Sequence, residues 1–353
     1  MGKKDKLFEI IKCSPHVVLL GAGASVACIP DGDKNGKKTS CMKDFFETTG
    51  IDIGYIGTYK NLEDIYQDIT DEKMKESLEN KIRQYFDTLK LPDEPTIYDV
   101  LIISLTKKDL IASFNWDPLL IQALQRCHNI TQDLPEVVFL HGNVWEWYAV
   151  ASDGTMTGVF AQDEYPYHGA YIRTSSGQSC KSVPLLYPIK NKDYHKNNYI
   201  EKAWDIFQNR LSRSFMLTIF GYSGPKSDIE ALNILKNGFL IKDKNGITSD
   251  LNNYKQLTII NIEKNIKDSF SELLDVPQVP FTEGINDYVE VLTDFWDENN
   301  WLLSWPRLTT EGYTITQYEN KIPRKWPITI EQNNLTWDVI NSIAKNQIKE
   351  DDL

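Results

Sequence analysis

The sequence predicts an α/β fold built on a doubly wound parallel sheet, and three observations predict it. Short, mainly apolar runs recur along the chain at Val17 to Leu20, Leu110 to Phe114, Val137 to Leu140, Phe215 to Phe220 and Leu257 to Ile262. Runs of that length without polar alternation suit strands buried on both faces. Segments with helical spacing separate them, and this alternation is the mark of a parallel sheet. Each run also ends in a polar or glycine-bearing segment: Gly21-Ala22-Gly23, Asn115-Trp116-Asp117, His141-Gly142-Asn143, Gly221-Tyr222-Ser223 and Asn261-Ile262-Glu263. Ligands of doubly wound sheets sit beyond the carboxyl ends of the strands. Five such ends therefore mark one rim of the sheet as the candidate site.

Composition narrows the class. At 353 residues the chain can bury a large core as one elaborated domain or two. Hydrophobic residues at 41% and charged residues at 25% are ordinary for a soluble globular protein. The net charge of −12 argues against direct binding of nucleic acid or an anionic membrane surface. The longest apolar run, about 13 residues, is too short to span a bilayer. Five cysteines (Cys13, Cys28, Cys41, Cys127, Cys180) include no C-x-x-C pair. The expectation is a cytoplasmic protein with reduced thiols, no zinc and no disulfide framework.

Taken in order, residues 1–13 carry Leu7, Phe8, Ile10 and Ile11 at helical spacing, before the first strand and its glycine turn. Two glycines let the backbone turn sharply without a Cβ in the way. A helix starting near Ser25 would aim its free N–H groups at an anionic group such as a pyrophosphate. The stretch from Asp31 to Lys38 is polar and glycine-bearing and reads as a mobile loop. Helical patterns then cover 40–48, 62–70, 71–90 and 96–106, an insertion before the second strand. Asp117 as N-cap and Pro118 at the first helical position open a helix to about Cys127. Residues 145–160 alternate around Ser152-Asp153-Gly154, a hairpin turn. Helices are expected at 197–213 and 226–237, near 265–274 and over 285–299, and from about 335. Residues 1–299 thus form one domain, with a helical insertion at about 40–106 and a small module at about 145–195. Residues 300–353 form an extension with Trp301, Trp305, Trp326 and Trp337.

Among the strand-end residues, His141 is the candidate general base, because an imidazole exchanges a proton near neutral pH. Ser223 could bond a phosphate, or serve only its turn. Glu263 could accept ribose hydroxyls, as acidic residues do in dinucleotide folds. Asp228 and Glu230 read as helix N-terminal charges.

The five strand ends together resemble the sirtuin superfamily, with its Rossmann-like sheet. Gly21-Ala22-Gly23-Ala24-Ser25 with Ile29-Pro30-Asp31 is similar to its phosphate-binding turn and Gly-Ile-Pro-Asp continuation. Ser113-Phe114-Asn115-Trp116-Asp117 resembles Thr-Gln-Asn-Ile-Asp, and His141-Gly142-Asn143 stands where the family has His-Gly-Ser. Gly221-Tyr222-Ser223 resembles Gly-Thr-Ser, and Asn261-Ile262-Glu263 the ribose-binding Asn-x-Glu. Two departures matter: the deacetylases' paired C-x-x-C zinc ribbon is missing, since residues 142–214 hold only Cys180, and Gly32-Asp33 replaces the Phe-Arg after Pro-Asp. That zinc-less pattern is similar to the sirtuin-like NAD hydrolases of prokaryotic antiviral defence systems.

The resemblance implies NAD as substrate, no metal, and cleavage of the nicotinamide–ribose bond. It implies that Asn115 contacts the nicotinamide ribose or a water beside it, using an amide that both donates and accepts. Asp117 would hold the nicotinamide carboxamide. Gly21, Ala22, Gly23, Ser25, Asp31, Gly221, Ser223, Asn261 and Glu263 would bind the dinucleotide. An NAD-dependent protein deacylase and a non-catalytic NAD or ADP-ribose sensor are the alternatives. Because unchecked NAD destruction would kill the host, activity is expected to need a homo-oligomer or a companion defence protein. The 31–38 loop would act as a cover. The tryptophan-rich extension would either form the interface or pack on the outer helices.

Overall fold

The computed structural model describes residues 14–52, 54, 61–160, 180–188, 194, 197–214, 216–225, 228–239, 256–262, 266, 270, 289–292 and 335–348. Strand β1 (His16–Leu20) is buried throughout and leads directly into helix α1 (Ala22–Cys28). Helices α2 (Phe45–Thr49), α3 (Leu62–Asp68), α4 (Glu72–Asp87) and α5 (Ile97–Ile103) follow. Then come β2 (Leu110–Ser113), α6 (Leu119–His128) and β3 (Glu136–Phe139). Three shorter-range strands follow, β4 (Glu146–Val150), β5 (Met156–Phe160) and β6 (Cys180–Ser182). The last elements are α7 (Asn198–Arg213), β7 (Met216–Phe220), α8 (Ile229–Phe239), β8 (Gln256–Ile260), β9 (Val289–Leu292) and α9 (Trp337–Ile348).

Six of these strands form one sheet in the order β3-β2-β1-β7-β8-β9, and every neighbouring pair is parallel. Chain order therefore runs outward in one direction from β1 and in the other from β7. This is the doubly wound arrangement, with its reversal between β1 and β7. Alternate side chains of each strand feed two cores. Val18, Leu20, Ile111 and Phe139 pack beneath α5 and α6, while Val17, Leu19, Ala112, Leu217 and Ile259 pack against Trp204, Phe207 and Leu211 of α7. Helix α5 is buried from end to end. Its one charge, Asp99, is buried with it and satisfied by Thr96 and Arg126. The expected hairpin is present: β4 pairs antiparallel with β5 and β6 in a separate sheet, and Gly154 N–H donates to Ala151 O at 2.9 Å in the turn.

Four expectations change. Residues 289–292, placed in a helix over 285–299, form β9, the sixth strand, paired in parallel with β8. A short Val-Glu-Val-Leu run carries no usable periodicity, and its β-branched content decides for a strand. Helix α1 begins at Ala22 and not near Ser25, with Gly21 as an extended N-cap. Pro118, and not Asp117, is the N-cap of α6; Asp117 sits one residue earlier, where its Oδ1 still accepts the Leu119 N–H at 3.1 Å.

The fourth concerns the 31–38 loop, which is pinned by hydrogen bonds that its polar composition did not announce. Asp33 is buried within it, and its carboxylate accepts the amides of Asn35 (2.8 Å), Lys37 (2.8 Å) and Lys90 (3.0 Å). Lys34 N–H donates to Lys90 O, and the Lys37 ammonium reaches Tyr85 O and Thr88 Oγ1. A polar composition hid an internal anchor. The helices expected over 1–13 and near 265–274 lie outside the described residues, Ile266 and Phe270 excepted, as do Trp301, Trp305 and Trp326. Trp337 packs within the chain: its indole N–H donates to Asp93 O at 3.0 Å, and Arg126 lies over its ring. Ile340, Ile343 and Ala344 of α9 enter the same core as α5.

Candidate active site

The strand order reverses between β1 and β7, and the glycine segments meet at the carboxyl ends of those strands. Gly23 N–H donates to Gly221 O at 3.0 Å, and Gly21 N–H to Phe220 O at 2.9 Å. A Cβ on Gly221, whose φ is +66°, would lie 2.1 Å from Ala24 N. A Cβ on Gly21 would lie 2.6 Å from Gly221 O. The glycines therefore let the two turns lie backbone against backbone. One amide expected to face an anion, that of Gly23, is spent on this contact. Ala22 remains half-buried at the start of α1, Asp31 is exposed, and Ser223 is half-buried. Asn261 Nδ2 contacts Tyr222 O at 3.4 Å. Glu263 lies outside the described residues.

Beneath the turns lies a buried polar network. Asn115, 7% exposed just after β2, points its Nδ2 at Gly21 O (2.9 Å), Ser25 Oγ (2.9 Å) and Tyr98 Oη (3.3 Å). A carbonyl only accepts, so the Gly21 contact fixes which way round the amide sits. Ser25 Oγ donates to Asp117 Oδ2 at 2.7 Å and lies 2.8 Å from Tyr98 Oη. Asp117 is 3% exposed, and burial raises its carboxyl to about 6, against the bonds from Ser25 and Leu119 that lower it. The sequence brings Ser25, Asn115 and Asp117 to one place, as expected, but Ser25 and Asp117 turn their polar atoms toward each other.

Sequence reasoning missed three members of this arrangement. Tyr98 of α5 reads as an ordinary core aromatic from its spacing. Asn143 is completely buried, donates from Nδ2 to the carbonyls of Asn115 (3.2 Å) and Asp117 (2.5 Å), and accepts the Trp145 N–H at 2.9 Å. It ties the end of β3 to the end of β2; its place in His141-Gly142-Asn143 was the available signal. Asp228 is more than a helix-terminal charge: it is buried and accepts the hydroxyls of Tyr194 (2.7 Å) and Tyr222 (3.1 Å).

His141 stands in an aromatic setting. Its ring lies 4.6 Å from Phe114 and 6.1 Å from Tyr194, nearly parallel to the latter. Phe114 in turn lies 4.6 Å from Tyr222, on the turn after β7. The His141 ring thus packs on Phe114, the residue that precedes Asn115 at the rim. The rim belongs to a Rossmann-like parallel sheet.

No protein-family model matches the sequence, and no curated protein matches it. Among solved structures the chain is similar to a Sir2 homologue in complex with NAD, at 12% identity and a TM-score of 0.43, covering 88% of this chain and 95% of that one. It is also similar to a Sir2 homologue variant in complex with ADP-ribose, at 12% identity and a TM-score of 0.38 over 91% and 100% of the chains. A Sir2 complex with peptide and NAD+ matches at 16% identity and a TM-score of 0.34 over 88% and 98%. Likeness at these scores carries no argument; the strand order and the network do. Among the described residues no group of three or more His, Cys, Asp or Glu side chains could hold a metal ion, and no helix is long and apolar enough to cross a membrane.

Proposed function

We propose that the chain is an NAD glycohydrolase, cleaving NAD with water to nicotinamide and ADP-ribose. The observation that carries this reading is the Asn115 amide. Its N–H groups are committed to Gly21 and Ser25, so what it can offer a ligand is the acceptor Oδ1. An acceptor fixed in this way at the switch point suits a group that orients a water or a ribose hydroxyl. Cleavage passes through an oxocarbenium-like ribose as neutral nicotinamide leaves. His141, whose ring packs on Phe114, would take the proton of the attacking water. Asp117 and Ser25 hold Asn115 in place, while the glycine turns and Asn261 border the dinucleotide. With Gly23 N–H occupied, phosphate contacts fall to Ala22, Ser223 and the rest of the rim.

Action as an antiviral effector with a homo-oligomeric or companion-dependent trigger is proposed on the sequence resemblance. The pinned 31–38 loop argues for a trigger elsewhere than in that segment. The test is direct: incubate the full chain with NAD, with and without an acyl-lysine peptide, and quantify nicotinamide. Peptide-independent release supports hydrolysis, release only with peptide supports a deacylase, and tight NAD binding without release supports a sensor.

A further inference from the structure

We propose that Tyr98 is a positioning residue: its hydroxyl, acting through Ser25, fixes the orientation of the Asn115 amide. The inference rests on the reading of Asn115 as the group that meets the substrate. It follows from counting hydrogens. A serine hydroxyl has one proton and two acceptor positions. Ser25 gives its proton to Asp117 Oδ2 and accepts from Asn115 Nδ2. The 2.8 Å contact with Tyr98 therefore has the phenol as donor, and it fills the second acceptor position. With all three positions used, Ser25 has no other rotamer that keeps its bonds, and Asn115 inherits that fixity. Tyr98 Oη also lies 3.3 Å from Asn115 Nδ2, so the phenol closes a ring of three groups.

The phenol itself is held rigidly. Tyr98 is fully buried on α5, and the next residue, Asp99, anchors that helix. Asp99 Oδ2 accepts the amide and hydroxyl of Thr96, and its Oδ1 accepts Arg126 Nε at 3.1 Å. Burial first, then the Asp117 charge, holds the phenol well above its usual range, so it remains a donor. A buried aromatic needs no hydroxyl to fill a core, and this one finds its partners in the site.

The test uses the full chain labelled with 15N-asparagine, and the side-chain N–H pair of Asn115 is assigned by its loss on substitution. Tyr98→Phe keeps the ring and deletes the donor. The expected result is a shifted or broadened Asn115 pair, a kcat for nicotinamide release lower by about tenfold, the loss of one hydrogen bond, and KM within about threefold. Ser25→Ala removes the intermediary and should move the same pair; adding Tyr98→Phe to it should cost little more. An unmoved Asn115 pair in folded Tyr98→Phe, or fully additive losses in the double variant, would overturn the proposal. If the wild-type chain releases no nicotinamide, the proposed activity fails, while the Asn115 resonance and the melting temperatures of the variants still decide the role of Tyr98.

Discussion

Gly23 and Gly221 are joined backbone to backbone, the amide of one donating to the carbonyl of the other at 3.0 Å across the point where the strand order reverses. This bond locks the turn after β1 to the turn after β7. It makes the glycines of both turns one structural unit, whatever ligand lies above them.

Gly221→Ala should therefore damage fold and site together. The residue sits at φ +66°, and its Cβ would collide with Ala24 N at 2.1 Å. Strain of that kind costs at least about 2 kcal/mol, which a urea midpoint would register. Unchanged stability would mean that the two turns are not in contact.

Asp33→Ala should loosen the 31–38 loop. It removes the shared acceptor of the part-buried amides of Asn35, Lys37 and Lys90, bonds worth about 1 kcal/mol each. Limited proteolysis should then cut within 31–38 where the wild-type chain resists. Equal cutting of both would contradict the anchored loop.

Stability should fall as pH drops from 6.5 toward 4, in part through His16. Burial, with Lys108 adding to it and Asp109 opposing, lowers its imidazole to about 4. The unfolded chain takes up this proton below 6.5 and the folded chain does not, so the penalty grows through that window to about 3 kcal/mol. Thr218 Oγ1 faces its Nε2 at 2.8 Å. His16→Gln preserves a polar partner for Thr218 without titrating, and its difference from wild type in urea melts should show this window. A pH-independent difference would refute the assignment.

Glu146 should act in the opposite direction. It is buried in β4, Oε2 has no partner among the described residues, and burial raises its carboxyl to about 8. The unfolded carboxyl ionises from about 4.5 and the folded one does not, so this group erodes stability as pH rises to 8 and no further. Glu146→Gln should gain on wild type across that range, by up to roughly 5 kcal/mol. A variant that is less stable at pH 8 would show that the ionised form is the one the fold needs.

The sheet and its rim were legible because strands buried on both faces need unbroken apolar runs, and ligand rims need the polar and glycine residues that end them. Gly21, Asn115, His141 and Gly221 stand where those patterns put them. Strand β9 was not legible, since four residues carry too little periodicity to separate strand from helix. Asp33 was hidden because an internal carboxylate anchor has the composition of a solvated loop. Tyr98 and Asn143 were hidden for another reason: their roles come from contacts across more than fifteen residues of chain, Tyr98 to Asn115 and Asn143 to Asp117, which no local spacing encodes.

Asn115 and His141 at this rim are proposed to cleave NAD. The most direct measurement is nicotinamide release from NAD by the wild-type chain, Asn115→Ala and His141→Ala, each verified as folded by its thermal melt. Release by the wild type is expected, with a loss of at least about a hundredfold in each variant. Wild-type turnover in either folded variant would contradict it.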